Sequence, residues 1–239
     1  MNFHIVTLFP GAFDSYFGES ILKRAIEDTK ITVKFYNPRD FSPEVNTKGK
    51  AVRIDKKPYG GGPGMVIEAL PVIKALEAIM KKIKHPRLSK TRATPSLYKE
   101  GDKGGVRKIK IIWLSPGGKV FDTEYAKSAA KKYTDIAIIC GRYEGIDSRV
   151  KKIFKTEDIS VGPFVLTGGE LPAMIIIDCI SRQVEGVLGD FNSLEETRVS
   201  AHDVYTRPEV LEYKKKKYKV PKVLLSGNHA EIEKWKTQQ

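Results

Sequence analysis

Short apolar runs with the period of a strand alternate along this chain with longer runs whose apolar residues fall on one helical face. Residues 3–9 predict a strand, stopped by Pro10-Gly11. Over residues 13–26, Phe13, Phe17, Ile21, Leu22 and Ala25 predict an amphipathic helix. Residues 31–36 predict a second strand, and the polar, glycine-rich stretch 37–65 a loop. Leu70, Ile73, Leu76, Ala78 and Ile79 predict a helix. Residues 109–114 then read as a strand, 123–132 as a helix and 135–140 as a strand. Residues 171–180 are apolar nearly all round, which predicts a buried helix. This alternation predicts an α/β domain around a mostly parallel sheet.

Two stretches break the pattern. Residues 81–108 are basic, rich in Gly, Pro, Ser and Thr, and poor in core residues, so they read as a surface insertion able to touch nucleic acid. Residues 190–201 are polar and read as a linker. Beyond it lie a short basic tail containing "YKKKKYKVP" and a final helix over about 229–236, too little chain for an independent core. Its lysines suit a solvated face, and beside Tyr213 and Tyr218 they also suit RNA.

Composition narrows the function classes. A chain of 239 residues, 41% hydrophobic, holds one large domain or a large one plus a small one. A formal net charge of +13 points to a polyanionic partner, nucleic acid ahead of membrane. The two cysteines, Cys140 and Cys179, sit in apolar runs without metal or disulfide spacing, which fits a reducing, cytoplasmic setting. The four histidines are scattered, which argues against zinc. The opening "MNFHIVTLFPG" is short and lacks a basic leader, so it does not read as a signal peptide. No apolar run approaches the ~20 residues that span a bilayer, so no membrane is expected.

Glycine is concentrated in four segments: "PYGGGPGM" from Pro58, "LSPGGKV" from Leu114, "CGRYEGID" from Cys140 and "SVGPFVLTGGELP" from Ser160. In an open α/β sheet, ligands bind beyond the carboxyl ends of the strands. Glycine there lets backbone N–H and C=O groups come close to a ligand. The glycines spell neither a phosphate loop nor a dinucleotide fingerprint, which disfavours an ATPase or a nicotinamide enzyme. A backbone-built pocket suits a ligand such as an adenosine without a phosphate chain.

With "YGGGPGM", "LSPGG", "CGRYEGID", "SVGPFVLTGGELPAM", "YTRPEV" and "VPKVLLSGNHAEIEKW" in this order, the chain resembles the bacterial tRNA (guanine-37-N1)-methyltransferases, the TrmD-type members of the SPOUT superfamily. The likeness runs from Thr7-Leu8-Phe9-Pro10 nearly to the C-terminus and leaves out the basic insertion, about 84–108. It implies a deep trefoil knot, which no pattern argument predicts. It also implies a homodimer, S-adenosyl-L-methionine as methyl donor, tRNA as substrate, and a dependence on Mg2+. The implied domains are a knotted donor-binding domain over 1–188, a linker over 189–200 and a small, mostly helical tRNA-binding domain over 201–239. The donor would lie among Trp113, Leu114, Ser115, Pro116 and Gly118, then Gly141, Tyr143, Glu144 and Gly145. Ser160, Val161, Gly162, Phe164, Leu166, Gly168, Gly169 and Pro172 complete the implied set. On this reading Gly141 and Gly145 let the chain turn, Glu144 sets a negative charge near the sulfonium, and Arg142 and Asp147 pair locally.

Guanine N1 carries a proton and is a poor nucleophile while it does, so methylation there needs a general base and a donor for the charge growing on O6. Arg182, after the 171–180 helix, matches the family's catalytic arginine; otherwise it reads as a helix C-terminal cation. The family's base is a linker aspartate, but Thr197 stands at that position. Glu196 is the substitute expected here, then Glu195 and Asp203; the two glutamates also read as ordinary linker charges. A second departure is Pro163, where the family carries an acid. These departures keep a catalytically silent RNA-binding homologue as an alternative, beside another SPOUT RNA methyltransferase.

Overall fold

The computed structural model describes residues 1–43, 52–84, 107–189 and 203–237. The basic insertion between 85 and 106, and the linker with Glu195, Glu196 and Thr197, therefore lie outside the described residues. The chain divides into two compact units, Met1–Val187 and Leu188–Gln239.

The first unit is built on a parallel five-stranded sheet. Its strands are β1 (Asn2–Val6), β2 (Thr32–Tyr36), β5 (Ile109–Val120), β6 (Asp135–Ile139) and β7 (Glu157–Ser160), in the order β2-β1-β6-β5-β7. A two-stranded ribbon, β3 (Asp55–Lys56) and β4 (Val66–Ile67), stands apart from that sheet. Side chains alternate across the central strands. Ile136 and Ile138 of β6 join Phe3, Ile5 and Ile112 in one core, while Ala137 and Ile139 join Val6, Ile111 and Trp113 in the other. Helices α2 (Ser20–Glu27), α4 (Thr123–Lys132) and α6 (Glu170–Arg182) cover the first face. On the second face lie α3 (Ala69–Lys84) and the short α5 (Arg149–Ile153). With both faces covered, β6 is buried at every residue, so after Asp135 its sequence reads as an unbroken apolar run.

Several expectations need correction. The helix expected over 13–26 is broken into α1 (Asp14–Phe17) and α2. Gly18 closes the first with its N–H on Asp14 O, and Ser20 stands at φ 52°. Residues 81–84 belong to α3, not to the insertion, with Ile83 buried. Helix α6 is not buried all round, since Leu171 and Ile175, four residues apart on one face, are 53% and 39% exposed. Strand β7 and helix α5 were not expected at all. "EDIS" has one apolar residue, and α5 is too short to show a period.

At the other end of the sheet, buried His4 links two strands. With its Nε2 protonated it donates to Asp135 Oδ1 at 3.0 Å, and its Nδ1 accepts from the Tyr36 hydroxyl at 3.3 Å. Thr134 Oγ1 donates to Asp135 Oδ2 at 2.7 Å, and Arg107 NH1 stands 3.9 Å from Oδ1. Burial alone would raise the Asp135 pKa, but the hydrogen bonds from His4 and Thr134 outweigh it and hold the carboxyl below its usual range. A depressed folded pKa adds stability above the unfolded value, about 4, and that stability is lost as pH falls through the folded pKa. Urea denaturation of Asp135→Asn should therefore show lower stability at pH 7 and a flatter loss between about pH 5 and 2. An acid limb identical to wild type would disprove the role.

The second unit holds an antiparallel hairpin, β8 (Val210–Tyr213) and β9 (Lys216–Lys219), followed by α7 (Lys222–Leu225) and α8 (His229–Thr237). The final helix was expected and the hairpin was not, because a run of lysines carries no strand period. Tyr205 and Trp235 pack with ring centroids 6.3 Å apart.

Candidate active site

Strands β6, β5 and β7 are neighbours, and the glycine segments leave their carboxyl ends together. Each of those segments contributes to one cavity of about 410 Å³, a size that suits a small ligand. On β5, Leu114 and Lys119 both pair with Ile159, so Ser115-Pro116-Gly117-Gly118 is thrown out as a bulge. Ser115 and Pro116 of that bulge line the cavity together with Trp113 and Leu114. Gly118 does not. A Cβ there would stand 2.6 Å from backbone atoms of Asp158 and Ile159, so its role is to let the bulge lie flat on β7.

The loop after β6 supplies Gly141, Tyr143, Glu144 and Gly145. The expectation that Gly141 makes the turn is corrected. Its φ is ordinary and a Cβ would meet only Ile146, at 3.9 Å. The turn is made at Tyr143, φ 59°, and Gly145, φ 115°. The loop is anchored to the Pro58–Met65 segment: Glu144 N donates to Met65 O and Ile67 N to Gly145 O, both at 3.0 Å. Glu144 is exposed and packs so closely on Gly64 that a Cβ there would stand 2.5 Å from its Oε1.

The loop between β7 and α6 supplies Ser160, Val161, Phe164, Leu166, Gly168, Gly169 and Pro172. Gly162 does not line the cavity; its N–H donates to Ser160 Oγ at 3.2 Å, and that hydroxyl donates back to Gly162 O at 2.8 Å. Gly169 N donates to Gly141 O at 2.9 Å, and a Gly169 Cβ would stand 2.7 Å from Cys140 Cα. The start of α6 thus crosses directly over the end of β6.

Arg142 and Asp147 do not pair with each other. Asp147 takes Arg149, whose hydrogen bonds lower its carboxyl pKa. Arg142 reaches Glu170, the first residue of α6, with Nε 2.8 Å from Oε2. Glu170 is buried, and its Oε1 accepts from the Thr7 hydroxyl at 2.7 Å, while Phe9 N donates to that hydroxyl at 3.0 Å. The Arg142 guanidinium lies 4.7 Å from the Phe9 ring centroid, and NH1 donates to Thr167 O at 3.3 Å. One side chain therefore ties the β6 loop to the β1 end and to the α6 loop. Burial, then the Glu170 charge, pushes the Cys140 thiol well up, so Cys140 is a packing residue at neutral pH.

Sequence reasoning missed Ile146, Ser148 and Lys151 as cavity residues; Lys151 lies on α5, which carried no legible signal. Lys151 pairs with Asp158 and sits 4.6 Å from the Trp113 ring centroid. Arg182, at the far end of α6 from Pro172, is half-buried and does not line the cavity. Ten helical steps separate the two, roughly 15 Å. Among the described residues no three His, Cys, Asp or Glu side chains gather as a metal cage, and Glu144 is the acid on the cavity wall.

The family model described as tRNA (Guanine-1)-methyltransferase TrmD matches residues 1–239. This chain belongs to the TrmD family. Relatives within the family include the tRNA (guanine-N(1)-)-methyltransferase of Lachnoclostridium phytofermentans, 41% identical over 248 residues, covering 100% of this chain and 86% of the relative. Those of Clostridioides difficile and Campylobacter jejuni subsp. doylei are 42% identical over 243 residues and 40% over 241. They cover 100% and 99% of this chain, and 92% and 91% of the relatives. A TrmD-family enzyme uses S-adenosylmethionine as methyl donor, and the cavity suits that molecule. Its walls combine backbone and apolar side chains, which suit an adenosine, with polar ones that include Arg142, Ser148, Lys151 and the exposed Glu144 carboxylate. No helix among the described residues is long and apolar enough to cross a membrane.

Proposed function

We propose that this chain methylates N1 of guanine 37 in tRNA, next to the anticodon, taking the methyl from S-adenosyl-L-methionine in the cytoplasm. The observation that carries the reading is the cavity walled by the three glycine loops at the ends of β5, β6 and β7. We read the crossing of those loops as the SPOUT trefoil knot. The residues up to about 188 bind the donor, and those from 201 to 239 bind tRNA.

The bound donor supplies a methyl already activated by its sulfonium. The chain's own task is to align it and to manage one proton. Backbone groups of the 141–145 and 160–169 loops hold the adenosine, and Glu144 balances the positive charge. Arg182 stabilises the charge that grows on guanine O6 as N1 loses its proton. Glu196 takes that proton, with Glu195 and Asp203 next in line. Magnesium, which takes one or two carboxylates and keeps several waters, would find Glu144 on the cavity wall.

Because Arg182 lies at the far end of α6, the reading needs a homodimer in which a second copy brings its arginine to the cavity. The open α6 face with Leu171 and Ile175 supports that.

The test is radiolabelled methyl transfer to a tRNA transcript. Transfer should occur with guanine at 37 and stop when that base is adenine. Arg182→Ala and Gly169→Val chains should be inactive alone and partly active when mixed. Glu196→Gln should slow single-turnover transfer and leave tRNA affinity intact. Equal transfer to both transcripts would refute the assignment of position 37.

A further inference from the structure

The β8–β9 hairpin has a composition and a shape that its own fold does not explain. Its register pairs Leu211 with Tyr218 and Tyr213 with Lys216. Directly opposed residues share a face, and so do pairs two positions apart. Leu211, Tyr213, Lys216 and Tyr218 therefore form one surface. Leu211 is 57% exposed, Tyr213 59% and Tyr218 53%. A lone two-stranded hairpin is marginal in water, and this one leaves its aromatic face open.

The turn adds a second, independent observation. Lys214 and Lys215 both adopt positive φ, 48° and 62°, the backbone of a two-residue hairpin turn that Asn-Gly makes at least cost. Lysine there is strained, by roughly 1–2 kcal/mol per residue. A turn selected for stability alone would not carry two lysines. Residues 210–219 hold five lysines against one acid, Glu212, which Lys217 already engages at 3.0 Å. Lys214 Nζ stands 5.4 Å from the Tyr213 ring centroid, so charge and ring lie side by side at the hairpin tip.

We propose that this hairpin is a stacking platform for unpaired nucleotides of the tRNA substrate. Tyr213 and Tyr218 offer π-faces to bases exposed in a loop, and the lysines of the turn and of β9 follow the phosphates. Duplex RNA hides its base faces, so an unpaired segment is the partner that uses both features. The inference rests on the tRNA reading above and extends it to a named surface and a mode of contact.

The experiment uses the full chain and three probes: a tRNA transcript, an unstructured 12-nucleotide RNA, and vesicles of phosphatidylserine. Tyr213→Ala/Tyr218→Ala should weaken binding of the short RNA by about tenfold or more per lost stacked base, leaving the salt slope unchanged. Tyr213→Phe/Tyr218→Phe should bind as wild type, which separates lost stacking from a disturbed fold. Lys214→Gln/Lys215→Gln should lower the slope of log affinity against log salt by about 0.7 for each lost phosphate contact. If wild type methylates no tRNA, the functional reading falls, while the short-RNA arm still decides the hairpin. Unchanged short-RNA affinity in the double alanine variant overturns the proposal. So does a loss confined to the vesicles.

Discussion

Arg142→Leu should cost roughly 3–5 kcal/mol of folding free energy, because it strands a buried carboxylate. Glu170 is 3% exposed and its remaining partner, the Thr7 hydroxyl, is neutral. Removing the acid is milder. The Arg142 side chain is 26% exposed, so after Glu170→Gln it still reaches water, and glutamine keeps an acceptor for Thr7. We expect a loss of about 1–3 kcal/mol there. The asymmetry is the diagnostic. Urea denaturation of both single variants and of Arg142→Leu/Glu170→Leu should place the double variant above Arg142→Leu, since it no longer buries an unpaired charge. Equal losses for the two single variants would mean that the pair is a solvated contact. Donor affinity should fall with Arg142→Leu as well, because that side chain fixes the loop carrying Gly141, Tyr143 and Glu144.

Gly169→Val should abolish donor binding outright. The new Cβ would stand 2.7 Å from Cys140 Cα and 3.0 Å from Gly141 N. Those atoms belong to the β6 end and the loop beyond it, so no side-chain rotation relieves the overlap. The start of α6 must lift from β6, and the Gly169–Gly141 hydrogen bond breaks with it. Gly141→Ala is the companion variant, since its Cβ meets only the flexible end of Ile146 at 3.9 Å. That protein should fold with near wild-type stability and lose donor affinity only through the volume added beside the cavity. Calorimetric titration with S-adenosylmethionine separates the two. Full affinity in a folded Gly169→Val chain would show that the cavity is not the donor site.

The parallel sheet and the glycine segments that wall the cavity were legible because they depend on local grammar. The apolar run of β6, the period of α3 and α4 and the glycines at strand ends are all written within a few residues. What escaped depends on partners far along the chain. Arg142 looked like a neighbour's counter-ion, yet it serves Glu170, which also answers to Thr7, 163 residues earlier. Gly118 looked like a ligand glycine and is a packing glycine, a distinction set by Asp158 across the sheet. Strand β7 and helix α5 were invisible because each is too short to show a period, and with them went Ser148 and Lys151. Helix α6 was read as wholly buried because its apolar sequence does not say what covers Leu171 and Ile175.

The placement of β1 has a consequence during synthesis. It lies between β2 and β6, and its register runs from Asn2 opposite Asp135 to Val6 opposite Ile139. A ribosome adding about 5–20 residues per second makes the first strand roughly 7–27 seconds before its inner neighbour. Through that interval β1 and β2 can pair, but Phe3 and Ile5, fully buried in the finished sheet, have no β6 to pack beside. The nascent chain therefore carries an apolar strand with an open edge until residue 139 has cleared the exit tunnel.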